Sequence, residues 1–152
     1  MNPGDLHTAL LHFPIVLFWT ALIYDLLGWI WKVRAYPAGH WIVVIATALV
    51  VPTVITGLMH SQDHQQTATL LAHRNWGLVT LTFSIPHAFF RLMLILKKMP
   101  IKGSLLVIFS VVNVAMVSLT ADYGEKYTFG QGIFVGSDQK EHHHAHQANE
   151  KK

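Results

Sequence analysis

The sequence predicts an all-α integral membrane protein, a four-helix up-down bundle with the N-terminus and C-terminus outside, and three observations carry that prediction. Of 152 residues, 52% are hydrophobic and 12% charged, whereas roughly a quarter of the residues of an ordinary soluble domain are charged. Four apolar stretches, 7–31, 41–59, 70–96 and 105–121, reach the length of about 20 residues that a helix needs to cross the hydrocarbon. Basic residues alternate with them. Lys32 and Arg34 follow the first stretch and Lys97, Lys98 and Lys102 separate the third from the fourth, while neither the chain before the first stretch nor the segment 61–69 contains Lys or Arg. The positive-inside rule then assigns the first and third connections to the cytoplasm.

The first stretch contains "DLHTALLHFPIVLF". No basic residue precedes it, its apolar run is long and Asp25 interrupts it, so it reads as a retained span and not as a cleaved signal. The second, Trp41 to Met59, carries Pro52, and the third, Leu70 to Leu96, carries Pro86; with Pro14 these are expected to kink their helices where packing satisfies the freed carbonyls. The fourth runs from Leu105 to Ala121. Trp29, Trp31, Trp41 and Trp76 lie near span ends, as interfacial aromatics do, with Trp19 deeper. Short connections make successive helices antiparallel neighbours. Residues 1–121 thus form one bundle, and 122–152 a periplasmic tail expected to be disordered after about residue 136, where the segment ending "EHHHAHQANEKK" is polar throughout. No internal repeat stands out.

Composition also excludes function classes. Cysteine is absent, which removes disulfides and thiolate metal sites. The chain has a net charge of +3, but its basic residues stand where membrane topology puts them, so nucleic acid is not an expected partner. No nucleophile with a base beside it and no pair of outer carboxylates at one depth points to hydrolysis.

Chemistry gathers in the histidines. The topology brings His7, His12, His60, His64 and His73 to the outer side. A helix starting at Leu6 places His12 about 9 Å below its start, and one starting near Thr67 places His73 at the same depth. An ionisable residue inside a span is a functional hypothesis by default, and neutral imidazole is a good axial ligand for haem iron. His12 and His73 are therefore the candidate ligands of a haem b. Gly77, four residues after His73 and on the same helical face, would let a porphyrin lie against the backbone, and Arg74 would pair with a propionate. The competing reading has these histidines bonding carbonyls at helix ends, with Gly57 and Gly77 serving only close helix approach. His60 and His64, spaced i and i+4, form with His7 an alternative zinc or copper site. His142, His143, His144 and His146 read as part of a solvated tail.

His87 follows His73 by fourteen residues, about 21 Å along the same face, the separation of stacked haem ligands in membrane cytochromes b. It lacks a partner at its own depth, His40 being nearer the cytoplasmic surface, and is expected to be a packed, hydrogen-bonded side chain. Asp25 and Arg91 each lie about two turns from the cytoplasmic end of their helices. An unpaired charge at a helix centre costs about 2.5–3.5 kcal/mol on insertion scales, so a structural ion pair between the first and third helices is expected.

At "LHTALLHFPIVLFWTALIYDLLG" the chain resembles a bacterial family of small four-helix membrane proteins known as domain of unknown function 2231. His7, His12, Phe13, Pro14 and Asp25 match its opening motif, His73 and Gly77 in "HRNWGL" its third-helix motif, and Gly124, Lys126, Gly130 and Gly132 in "GEKYTFGQGI" its ending. The family's second Gly is Glu125 here and its final His is Gln131, so a role carried by that His is absent or replaced. Fusion of some members to c-type cytochrome or Rieske modules implies a redox setting.

The expectation is a multi-pass protein of the bacterial inner membrane that binds haem b and carries electrons, alone or as a subunit of a respiratory complex, with lipid, complex subunits or a periplasmic cytochrome as partners and no substrate chemistry of its own. The alternatives are a cofactor-free structural subunit and a zinc- or copper-binding membrane protein.

Overall fold

A computed structural model describes residues 3–31, 37–62, 67–97 and 102–129. Among these, four helices make up the regular structure: α1 (Pro3–Ile30), α2 (Pro37–Gln62), α3 (Ala68–Ile95) and α4 (Gly103–Phe129). At 1.5 Å per residue their 26 to 28 residues extend about 39–42 Å, so each outruns a hydrocarbon core of about 30 Å. Segments within all four are apolar enough to cross a membrane: Ala9–Ile30, Ala38–Gln62, Ala68–Ile95 and Gly103–Tyr127.

The helix ends follow local chemistry. Thr67 caps α3, its hydroxyl accepting from the Leu70 amide at 3.2 Å. Lys97, at φ 54°, turns the chain into the left-handed region just past the end of α3. Pro14, Pro52 and Pro86 all lie inside continuous helices. The helices outrun the apolar stretches read from sequence at several ends, most of all in α4, which continues past Ala121 to Phe129, so 122–129 belong to the bundle and not to a tail. The apolar segment itself runs on to Tyr127, and the glycine at 124 packs under a ring from α3. The expected disorder after residue 136, the tail histidines, His64, Lys32, Arg34 and Lys98 lie outside the described residues.

Each helix packs on its two neighbours in the ring α1–α2–α3–α4–α1, and the backbones of the diagonal pairs stay apart. A thin apolar core fills the centre, made of Phe18, Ala21 and Leu22 from α1, Val43, Ala46 and Val50 from α2, and Val114 and Val117 from α4. Large apolar side chains such as Val16, Trp19, Ile23, Ile55, Ile85 and Ile108 are exposed, which inverts a soluble protein's pattern and gives lipid its contact surface.

α3 contributes mostly polar groups to the interior: Thr80, Ser84, His87 and Arg91 are buried, as are Ser110 and Asn113 facing them from α4. Arg91 is the hub. Its Nη1 donates to Asp25 Oδ1 at 2.8 Å and to His40 Nδ1 at 3.1 Å. Its Nη2 donates to Asp25 Oδ2 and to Ser110 Oγ, and its Nε donates to His87 Nε2 at 3.1 Å. All five guanidinium N–H groups are thereby used, and the clamp ties all four helices together at one end of the bundle.

This arrangement also fixes the state of His87. Arginine can only donate, so His87 Nε2 accepts and the proton of the neutral ring sits on Nδ1. Asn113 Nδ2 lies 2.8 Å from Nδ1, and Asn113 Oδ1 lies 3.0 Å from Ser84 Oγ. Exchanging the two ends of that carboxamide, which fill the same space, makes Oδ1 accept from the ring. Nδ2 then donates to Ser84 Oγ, whose own hydrogen goes to the Thr80 carbonyl at 2.6 Å. Both ring nitrogens are committed, and the ring stacks on Phe109 at 5.5 Å.

The buried face repeats along the chain, contrary to the sequence reading that no repeat stands out. Buried Pro14, Phe18, Ala21 and Asp25 of α1 recur 66 positions later as buried Thr80, Ser84, His87 and Arg91 of α3. Buried Gly39, Val43, Ala46, Thr47 and Val50 of α2 recur 67 positions later as buried Leu106, Ser110, Asn113, Val114 and Val117 of α4. The sequence hides this because almost no residue type is shared; what recurs is the side that faces inward.

Candidate functional site

A cavity of about 450 Å³ opens at the opposite end from the Arg91 clamp, where α1 and α3 begin and α2 and α4 finish. It lies within the range of about 300–1,000 Å³ typical of small-molecule and cofactor sites. His7, His12, His60, His73, Arg74, Thr53, Gly57, Gly77, Thr120 and Gly124 are among the residues on its wall.

Two imidazoles meet there. The rings of His7 and His73, on the diagonal helices α1 and α3, have centroids 5.9 Å apart and planes at 80°. His7 Nδ1 lies 2.9 Å from the carbonyl oxygen of Thr53, and His73 Nδ1 lies 2.8 Å from that of Thr120. A carbonyl can only accept, so each Nδ1 carries the hydrogen, and in a neutral ring each Nε2 keeps its lone pair. That is the state in which histidine ligates a metal, with its other nitrogen anchored to a carbonyl. With metal–nitrogen bonds of about 2.0–2.1 Å, two imidazole centroids on opposite sides of one ion stand about 6 Å apart, close to the separation observed.

Each ring reaches its carbonyl by crossing a glycine. A Cβ on Gly57 would lie 2.8 Å from His7 Cε1 and 3.0 Å from its Nδ1; one on Gly124 would lie 2.9 Å from His73 Cε1 and 3.1 Å from its Nδ1. These glycines stand four residues after Thr53 and Thr120, on the same helical face as the carbonyls the rings seek. Thr53 and Thr120 in turn bond their own hydroxyls to the carbonyls of Leu49 at 2.8 Å and Met116 at 2.9 Å.

The residues singled out from sequence divide into four groups. His73 stands at the centre, and the ring facing it is that of His7, where the sequence reading had paired it with His12. His12 is exposed and lines the cavity wall. The reason is angular: five residues turn a helix by about 140°, so His7 and His12 cannot both face the bundle axis. Arg74 lines the cavity from a half-buried position. Gly77 lines it too, although a Cβ there would meet only Thr120 Cγ2 at 3.8 Å, so the close-contact glycines are Gly57 and Gly124.

His60 lines the cavity, and His64, the third member of the zinc or copper set, lies outside the described residues. Among the described residues no group of three or more His, Asp or Glu side chains is placed to hold a metal ion. Asp25 and Arg91 meet at the other end of the bundle. Sequence reasoning missed Thr53, Thr120 and Gly124 as parts of this site and gave Gly57 only a helix-packing role. The available signal was the spacing Thr-x-x-x-Gly, present once in α2 and once in α4 opposite a histidine near the start of the preceding helix.

Compared with known proteins, residues 4–137 match a family model described as "Predicted membrane protein (DUF2231)". No curated protein and no solved structure matches the chain.

Proposed function

The chain belongs to the DUF2231 family of membrane proteins, and we propose that it is an electron carrier that holds one haem b between His7 and His73. The observation that carries this reading is the pair of imidazoles 5.9 Å apart, each with Nδ1 tied to a backbone carbonyl, beside a cavity of about 450 Å³. The donor set fits the group: two neutral imidazoles suit low-spin haem iron. When bound, haem supplies a one-electron Fe(III)/Fe(II) couple. The protein's part is to fix the rings and exclude water. Arg74, half-buried on the cavity wall, would supply the positive charge to pair with a propionate. His7, and not the His12 chosen from sequence, would be the residue that holds the group together with His73.

By the distribution of Lys and Arg, the cavity faces the outer leaflet of a bacterial inner membrane. Partners would exchange electrons from that side, as a periplasmic cytochrome or a neighbouring subunit of a respiratory complex does. His87 takes no part as a ligand, since both of its nitrogens are committed.

The test is the absorption spectrum of detergent-purified, haem-supplemented protein, oxidised and dithionite-reduced. The wild type is expected to show a Soret band and sharp reduced α and β bands, lost in His7→Ala and in His73→Ala and kept in His12→Ala. A colourless wild type, or an undiminished Soret band in His7→Ala, refutes the reading.

A further inference from the structure

The two halves of the site are copies of one another. His7 precedes His73 by 66 positions, and Thr53 and Gly57 precede Thr120 and Gly124 by 67. These are the same offsets at which the buried faces of α1 and α3, and of α2 and α4, recur. In the ring α1–α2–α3–α4, a half-turn about the bundle axis exchanges the hairpin α1–α2 with the hairpin α3–α4. It carries His7 onto His73, the Thr53 carbonyl onto the Thr120 carbonyl and Gly57 onto Gly124. Among the other matched buried positions only Val50 and Val117 share a residue type; at the imidazole, the threonine and the glycine the two halves hold the same ones.

We propose that Gly57 and Gly124, each with the main-chain carbonyl one turn before it, are positioning residues: two equivalent devices that hold one imidazole apiece on either side of the bundle's pseudo-two-fold axis, where the pair could bind a single metal centre between them. This rests on the His7–His73 reading of the site and adds what orients the two rings. The physical basis is local. A helix carbonyl is shielded by the side chain four residues later on its face. Glycine there opens the backbone to a ring edge, and the carbonyl's second lone pair takes the Nδ1 hydrogen. An alanine would put a methyl within 3 Å of each ring's Cε1, and the ring, being the end of a side chain, gives way and loses its carbonyl.

The test follows each ring separately in the full-length protein, by nitrogen NMR of histidine-labelled samples without haem. In the wild type, His7 and His73 are expected to show a protonated Nδ1 and a bare Nε2. Gly57→Ala should abolish that signature for His7 and leave His73 intact; Gly124→Ala should do the reverse. Haem titrations of the same samples should show each variant weakened about 10- to 100-fold, the usual effect of disturbing a ligand's outer partner. Gly103→Ala, whose Cβ meets nothing within 4 Å, serves as the control.

If Gly57→Ala fails to fold, the double variant His7→Ala/Gly57→Ala decides: recovery of folded yield locates the clash at the ring and supports the proposal, and no recovery overturns it. Unchanged ring signals in both single variants also overturn it. So does a Gly57→Ala variant that disturbs His73 as strongly as His7. A wild type that takes up no haem refutes the electron-carrier reading, while the ring signals still decide this inference.

Discussion

Replacing Arg91 with leucine removes the hub of the buried clamp, and its cost follows from what is left behind. Asp25 is 4% exposed and Arg91 fully buried, so the carboxylate loses both guanidinium contacts and keeps the Ser110 hydroxyl. His87 Nε2 and His40 Nδ1 lose their donor as well. Breaking a buried ion pair by deleting one partner costs about 3–5 kcal/mol. With two further acceptors stranded, Arg91→Leu is expected at the upper end of that range. The double variant Asp25→Leu/Arg91→Leu removes the stranded charge, and buried pairs replaced by apolar side chains are often neutral or better. It should therefore recover at least about 2 kcal/mol, a coupling that only contacting residues show. Reversible unfolding in mixed micelles titrated with dodecyl sulfate measures all three proteins. A single variant within about 1 kcal/mol of wild type, or a double variant showing the sum of both single losses, refutes the reasoning.

Three other outcomes follow from the same geometry. His87→Leu strands the Arg91 Nε donor and leaves Asn113 without its ring partner, so stability should fall by about 1–3 kcal/mol with haem absorption unchanged; loss of the Soret band would show that His87 ligates after all. Ser110→Ala, which removes the hydroxyl bridging Arg91 and Asp25, should cost about 1–2 kcal/mol in the same micelle assay. Since the chain has no cysteine, orientation can be read with single cysteines: in intact cells a membrane-impermeant maleimide should label Gln62→Cys and spare Lys97→Cys, and the reverse pattern inverts the topology.

The helices were legible because a membrane span announces itself by length and hydropathy, and the meeting of Asp25 with Arg91 was legible because two opposite charges at one depth have few other places to go. The facing imidazoles were harder. Depth alone cannot separate His7 from His12, since a helix has sides as well as height. The side was nevertheless written in the chain. Counting back from Asp25 along its inward stripe gives Ala21, Phe18, Pro14 and then His7; counting back from Arg91 gives His87, Ser84, Thr80 and then His73. In each helix the histidine precedes the buried charge by 18 positions, which is five turns. What the sequence could not disclose was the carbonyl each ring seeks, because main-chain acceptors carry no residue signature. The glycines that expose them look, in a list of letters, like any small residue at a helix crossing.

The placement of Asp25 and Arg91 at matched positions of the two hairpins bears on how the protein is made. The first hairpin holds an acid whose counter-charge is encoded 66 residues downstream, so that acid meets its partner only once α3 is in place. Two copies of the first hairpin would face acid against acid, and two of the second base against base. Only unlike halves satisfy each other, so two first hairpins cannot stand in for the complete bundle.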